Sequence, residues 1–86
     1  MDNSNKVLVK ILLPEIDQSY DMYLPINRKV GNVVELINKL LDELTNGAYK
    51  GSIHQCLYDE FTGNIYENNK LIIDTNIRNG SHLVLI

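Results

Sequence analysis

Cysteine is all but absent from this 86-residue sequence, with Cys56 standing alone. A single thiol excludes an internal disulfide and any clustered-thiolate zinc or iron–sulfur site, and it suits a reducing compartment. Tryptophan is missing and there are only 2 prolines. Positive charge is short as well: Lys+Arg number 8 against Asp+Glu 11, a formal net charge of -3. A mildly acidic chain has no electrostatic reason to seek a phosphate backbone or an anionic membrane, so nucleic acid is not an expected partner. Long apolar runs are lacking. The stretch VLVKILL is too short for a bilayer, and no small-residue cleavage site follows it, so it reads as a strand and not as a leader. Membrane insertion is not expected, and a cytoplasmic location is. The 5 glycines are scattered singly, which leaves no phosphate-cradling loop. There is room for one domain over 1–86, with residues 1–5 expected to be flexible.

What is present is clear hydrophobic patterning. In VLVKILLP, Val7, Val9, Ile11 and Leu13 alternate with Leu8, Lys10 and Leu12. A lysine fits only the wetter set, so the first set is the core face. Pro14 ends this strand. After EIDQS, the run YDMYLP places Tyr20, Met22 and Leu24 inward and ends at Pro25, which makes the second arm of a hairpin with a looser turn than the tightest type. From Val30 the period lengthens. Val30, Val33, Val34, Ile37, Leu40, Leu41 and Leu44 recur every three or four residues, the mark of an amphipathic helix. Asn27 is the nearest capping residue at its start, and Gly47 can supply the positive φ of its stop.

The remainder reads as shorter pieces. AYKGS is a loop. In IHQCLYD the polar pair Gln55 and Asp59 shares a face with Leu57, so His54, Cys56 and Tyr58 are expected inward and Leu57 outward. EFTGN is a turn returning through Ile65 and Tyr66, ENNK is polar and turn-prone, and LIIDTNIRNG is irregular with Ile72 and Ile77 as core anchors. SHLVLI closes the chain, with Leu83 and Leu85 inward and His82, Val84 and Ile86 outward. A hairpin, a helix, a strand, a small hairpin and a final strand make a two-layer α+β sandwich, a mixed sheet of four to five strands on one main helix. This order resembles the β-grasp, the fold of ubiquitin, with the first and last strands parallel at the sheet centre.

Catalytic chemistry finds little support in these residues. His54 and Cys56 lie two apart on one strand, but a buried cysteine is usually a small hydrophobe. His82 sits on the opposite face from them, so no metal set forms. No catalytic residue, cofactor or metal ligand is assigned. The sheet's outer face offers more: Leu12, Leu57, Val84 and Ile86 are expected to cluster there as an apolar patch fit for a protein partner, the alternatives being chance surface apolarity or burial under the loop at Ala48 to Ser52.

The segments ENNKLIIDTNIRNGSHLVLI and LPINRKVGNVVELI are similar to the YukD/EsaB family, small ubiquitin-like proteins of Gram-positive type VII secretion systems. The matching positions are Ile72, Ile73, Asp74, Ile77, Asn79, Gly80, Leu83 and Leu85, preceded by Leu24, Pro25 and the valine-led helix. Departures are the longer HQCLYDEFTGNIY hairpin and Ser81, where an acidic residue is common. The resemblance implies a cytoplasmic accessory or regulatory component that contacts other secretion proteins, the cytoplasmic domains of membrane subunits being natural partners. Asp74 is expected to accept hydrogen bonds from backbone N–H groups of its irregular segment, and Asn79-Gly80 to reverse the chain. Conjugation and sulfur-carrier chemistry both use a flexible Gly-Gly tail. With Ile86 paired in a strand, the fold is expected to act as a surface and not as a tag. The alternatives are a carrier or catalytic protein using Cys56, or a self-association module that forms a weak homodimer through the edge strand YDMYLP.

Overall fold

The computed structural model describes residues 5–51 and 54–86. The expected flexibility of residues 1–5 therefore falls, but for Asn5, outside the described residues. So do Ser52 of the expected loop and Ile53 of the expected third strand. Five strands and one helix follow in the order β1 (Lys6–Leu13), β2 (Gln18–Pro25), α1 (Val30–Leu44), β3 (Leu57–Asp59), β4 (Ile65–Tyr66) and β5 (His82–Leu85), with short 3-10 turns at Pro14–Ile16 and Ile72–Asp74. The sheet order is β2-β1-β5-β3-β4. β1 and β5 run parallel at its centre, the other pairings are antiparallel, and α1 covers one face. This is the ubiquitin-like β-grasp.

Alternation explains the central strands. Val7, Val9, Ile11 and Leu13 of β1 and Leu83 and Leu85 of β5 are all buried. They meet Val30, Val33, Val34, Ile37 and Leu41 of α1 in one core. Pro14 opens a 3-10 turn whose C-terminal capping residue, Asp17, adopts the left-handed conformation at φ 51. The connection is thus the looser hairpin the residues call for.

The helix differs from expectation at its start and along one flank. Its N-cap is Lys29, which supplies no side-chain cap, and Asn27 plays no such part. The amides of Val30 and Gly31 instead donate to the carbonyls of Lys70 (2.8 Å) and Asn68 (3.0 Å). The polar ENNK stretch therefore caps the helix across the fold, satisfying two of its four orphan donors. Leu40 and Leu44, expected in the core, are exposed. They lie on the flank above β2, and the sheet has no strand beyond β2 to cover them. At the other end Gly47 takes φ 81, as the stop requires.

The third strand is in the opposite register from the one its polarity implies. Leu57 is 0% exposed and Gln55 is buried, while Cys56 and Tyr58 are half-buried. His54 lies in a turn and is exposed. Gln55 goes inward because its amide donates to the Tyr49 hydroxyl. Tyr49 itself is buried although it sits in the AYKGS segment that reads as loop. Burial raises the Tyr49 phenol above its ordinary value, the Gln55 hydrogen bond offsets part of this, and the Glu15 carboxylate adds to it. Asp59, at the strand's end, caps the following turn: Oδ1 accepts the amides of Phe61 (2.8 Å) and Thr62 (3.1 Å). A polar residue with a buried or turn-capping partner is free to face the core side.

The segment before β5 also needs a correction. Asp74 is exposed, and its carboxylate accepts no hydrogen bond from the irregular stretch. Thr75 does that work: its hydroxyl donates to Ile72 O (2.6 Å) and accepts Ile77 N–H (3.1 Å). Ile77 is fully buried. Asn79 and Gly80 then continue the line of β5 along β1, Asn79 Oδ1 accepting Leu8 N–H and Gly80 N–H donating to Leu8 O, both at 2.8 Å. Gly80 has φ 88, where a side chain would be strained. Ser81 closes the turn by accepting Arg78 N–H at 2.9 Å. The expected result is that Asp74→Ala leaves the denaturation midpoint nearly unchanged, while Thr75→Val costs about 1 kcal/mol by stranding the Ile77 N–H, since Ile72 O keeps the Thr75 N–H. Urea titration of the two variants checks this.

Candidate functional site

The face of the sheet opposite α1 has no covering element among the described residues. Its side chains follow from the strand registers. Leu12 on β1 is level with Ser19 on β2 and Val84 on β5; Val84 is level with Tyr58 on β3, and Tyr58 with Ile65 on β4. The result is a continuous row, Leu12–Val84–Tyr58–Ile65, running from the sheet centre to the β4 edge. Leu12, Val84 and Tyr58 are half-buried by their neighbours, and Ile65 is 53% exposed. One step along, Ile86 exchanges backbone hydrogen bonds with Cys56 (2.7 and 3.2 Å), and its side chain is exposed on the same face.

Of the four residues expected in the patch, three lie here: Leu12, Val84 and Ile86. Leu57 does not, because β3 points it into the core. Tyr58 takes its place. Ile65 was within reach of sequence reasoning, since its hairpin neighbour Tyr66 is the residue that turns inward.

A polar row borders the apolar one. Lys10 Nζ lies 3.8 Å from Asp21 Oδ1, and His82 Nδ1 lies 3.0 Å from Glu60 Oε2. The His82 ring is also 5.1 Å from that of Phe61, tilted by 35°. Phe61, the chain's only phenylalanine, is 76% exposed on the β3–β4 turn. An aromatic held out on a turn at the rim of an apolar row extends the area open to a partner.

The turn is held from behind by a small polar cluster. The Tyr66 hydroxyl lies 2.6 Å from Asn76 Oδ1 and 3.2 Å from Asp59 Oδ2, and its one proton serves one acceptor at a time. Burial, then the charge of Asp59, push the Tyr66 phenol up to about 12. The amides of Thr62 and Phe61 hold the Asp59 carboxyl below its ordinary value. For Tyr66 the raised value favours the neutral form in the fold. Its contribution to stability is present below the ordinary value of 10.0 and is lost as pH rises toward about 12. The hairpin is expected to loosen over that window, and tyrosinate absorbance of wild type against Tyr66→Phe, followed through an alkaline titration, reads the change.

The Cys56 thiol lies 3.9 Å from the backbone carbonyl of His54, an oxygen that cannot take up a thiol proton. Among the described residues no three His, Cys, Asp or Glu side chains are grouped to hold a metal ion, and no helix is long and apolar enough to cross a membrane.

No family model and no curated protein matches the sequence. Solved structures do. The chain is similar to a ubiquitin-like domain from Arabidopsis thaliana, with a TM-score of 0.71 at 14% identity, covering 100% of this chain and 81% of that one. It is similar to the ubiquitin-like domain of the Mycobacterium tuberculosis type VII secretion system protein EccD1, with a TM-score of 0.70 at 14% identity, covering 94% and 97%. A chain of an ESX-5 inner membrane complex matches with a TM-score of 0.69 at 16% identity, covering 95% of this chain and 21% of that one. Likeness at these identities establishes the ubiquitin-like fold.

Proposed function

We propose that this is a non-enzymatic accessory or regulatory protein of a type VII secretion system, which works by binding another component through the open face of its sheet. The observation that carries the contact reading is the uncovered row Leu12–Val84–Tyr58–Ile65, extended by Ile86 and by Phe61 on the rim. The secretion reading has two supports: the resemblance of the closing segment to the YukD/EsaB family, and the ubiquitin-like domain of EccD1, a type VII secretion protein by its own description. The proposed partners are the cytoplasmic domains of the secretion membrane subunits, with the protein itself in the cytoplasm.

The chemistry of the face suits this role. Half-buried apolar side chains in a rigid sheet lose little entropy on docking, and aromatic anchors such as Tyr58 and Phe61 dominate protein interfaces. The Lys10–Asp21 and His82–Glu60 pairs supply a polar border that sets register. Tyr58→Asp is expected to cut co-purification of secretion membrane subunits at least about tenfold, the scale of one interface anchor. The melting temperature should move little, since the side chain is on the solvent face. Undiminished co-purification by Tyr58→Asp and Ile65→Asp, both folded, contradicts the proposal.

A further inference from the structure

A second binding surface is built where β2 meets α1. β2 is an edge strand of eight residues, paired to β1 without a bulge along its whole length. The hydrogen bond from Ile26 N–H to Asn5 O, together with the β1–β2 register, turns the backbone groups of Tyr20, Met22 and Leu24 toward β1. Those of Ser19, Asp21 and Tyr23 therefore point away from the sheet, and among the described residues no backbone group is bonded to them. Edge strands are commonly shielded by lysines, bulges or a covering element. Here the strand carries only Pro25 at one end and the charge of Asp21, which is paired with Lys10.

Beside this open edge lies an apolar ledge. Leu36, Leu40 and Leu44 recur every fourth residue on the flank of α1, 46%, 40% and 57% exposed. Leu36 and Leu40 form one wall of a shallow groove, and Met22, Tyr23 and Leu24 of β2 form the other. A strand added to β2 would direct every second side chain into that groove, level with Tyr20, Met22 and Leu24.

Charge specifies the rest. From Ile11 to Asn27 the only charged residues are Glu15, Asp17 and Asp21. The last turn of α1 carries Asp42 and Glu43 with no basic residue, against the preference of a helix C-terminus for cations. Tyr49, on which the Glu15 carboxylate acts, donates its amide to the Thr45 hydroxyl, so the β1–β2 turn lies toward the end of the helix. The Gln18 end of the β2 edge is thus the negative pole of this side of the molecule.

We propose that the β2 edge and the leucine ledge of α1 bind an extended segment of a partner protein by strand addition. That segment has apolar side chains at alternate positions and lysine or arginine at the end lying beside Gln18. A second copy of this chain is a poor occupant, because antiparallel pairing of β2 with itself along nearly its full length sets the two Asp21 side chains opposite one another. The site is separate from the open face and does not depend on its assignment.

The test is an NMR titration of the full chain with a short synthetic peptide of alternating valine and threonine carrying a run of lysines at one terminus. A counterpart with glutamates in place of the lysines serves as the comparison. The expected result is movement of the Ser19, Asp21 and Tyr23 amides and the Leu36 and Leu40 methyls. The lysine peptide should bind at least about tenfold more tightly, an advantage that salt removes. Leu40→Lys, at an exposed position that leaves folding intact, should abolish the response. Equal binding of the two peptides, no binding by either, shifts confined to Tyr58 and Val84, or β2 amides that move with protein concentration alone would each overturn the proposal.

Discussion

Leu57→Asp is expected to unfold the protein outright. The side chain is 0% exposed in the middle of the core, between the sheet and α1. Losing the leucine alone costs about 2–5 kcal/mol through transfer and cavity. The aspartate then buries a carboxylate with no counter-charge, which adds several kcal/mol or forces its protonation. Domains of this kind are stable by only about 5–15 kcal/mol in total, so the sum takes most or all of it. Circular dichroism should show no cooperative melt. Tyr58→Asp, one residue on, should melt close to wild type. This pair separates the two registers of β3 without reference to any partner.

The second large effect is at Tyr49. Its ring is almost fully buried, and its hydroxyl accepts the amide hydrogen bond of Gln55, the one buried polar residue described. Tyr49→Ala should cost about 3–5 kcal/mol, the scale of removing an aromatic from a core. Tyr49→Phe keeps the ring and removes the acceptor of the Gln55 amide, at a cost of about 1–3 kcal/mol. Gln55→Leu combined with Tyr49→Phe should recover part of that loss, because an apolar pair needs no hydrogen bond. Denaturant midpoints of wild type, Tyr49→Phe, Gln55→Leu and the double variant, read as a double-mutant cycle, measure the coupling. Equal stability of wild type and Tyr49→Phe would mean the hydrogen bond contributes nothing.

These two positions show where sequence reasoning succeeds and where it stops. β1 and β5 are legible because each lies between two neighbouring strands and is covered by α1. Strict alternation is then required, and the residues at Val7 to Leu13 and at Leu83 and Leu85 obey it. α1 is legible in extent and in most of its buried face. Leu40 and Leu44 mislead because the sheet ends at β2, and the helix projects its flank past that edge; no local pattern reports the width of a sheet. β3 is illegible for a different reason. Its polarity argues for Gln55 and Asp59 outward, yet both are satisfied by groups distant in the fold or at the turn. Polarity predicts exposure only when the polar atom has no better partner than water. Tyr49 and the helix cap by Asn68 and Lys70 share that character, for each is made by tertiary contact alone. Asp74 was given a task its neighbour performs: a threonine at position 75 holds the same backbone groups through its hydroxyl.

Of the expected surface residues, Leu12, Val84 and Ile86 stand on the open face as their alternation requires, and Leu57 stands in the core. The difference comes from one strand, since a slip of a single residue exchanges its faces. Restoring the register replaces Leu57 by Tyr58 and brings in Ile65 and Phe61, which turns separate apolar residues into a row.

A photo-crosslinking amino acid placed at position 58 tests most directly whether that row is where this protein meets its partner. The comparison is the same probe at position 35, on the solvent side of α1 and away from both proposed surfaces. In the native cells, irradiation should yield an adduct between position 58 and a type VII secretion membrane subunit, and none from position 35. Adducts from position 35 with none from position 58 would contradict the account.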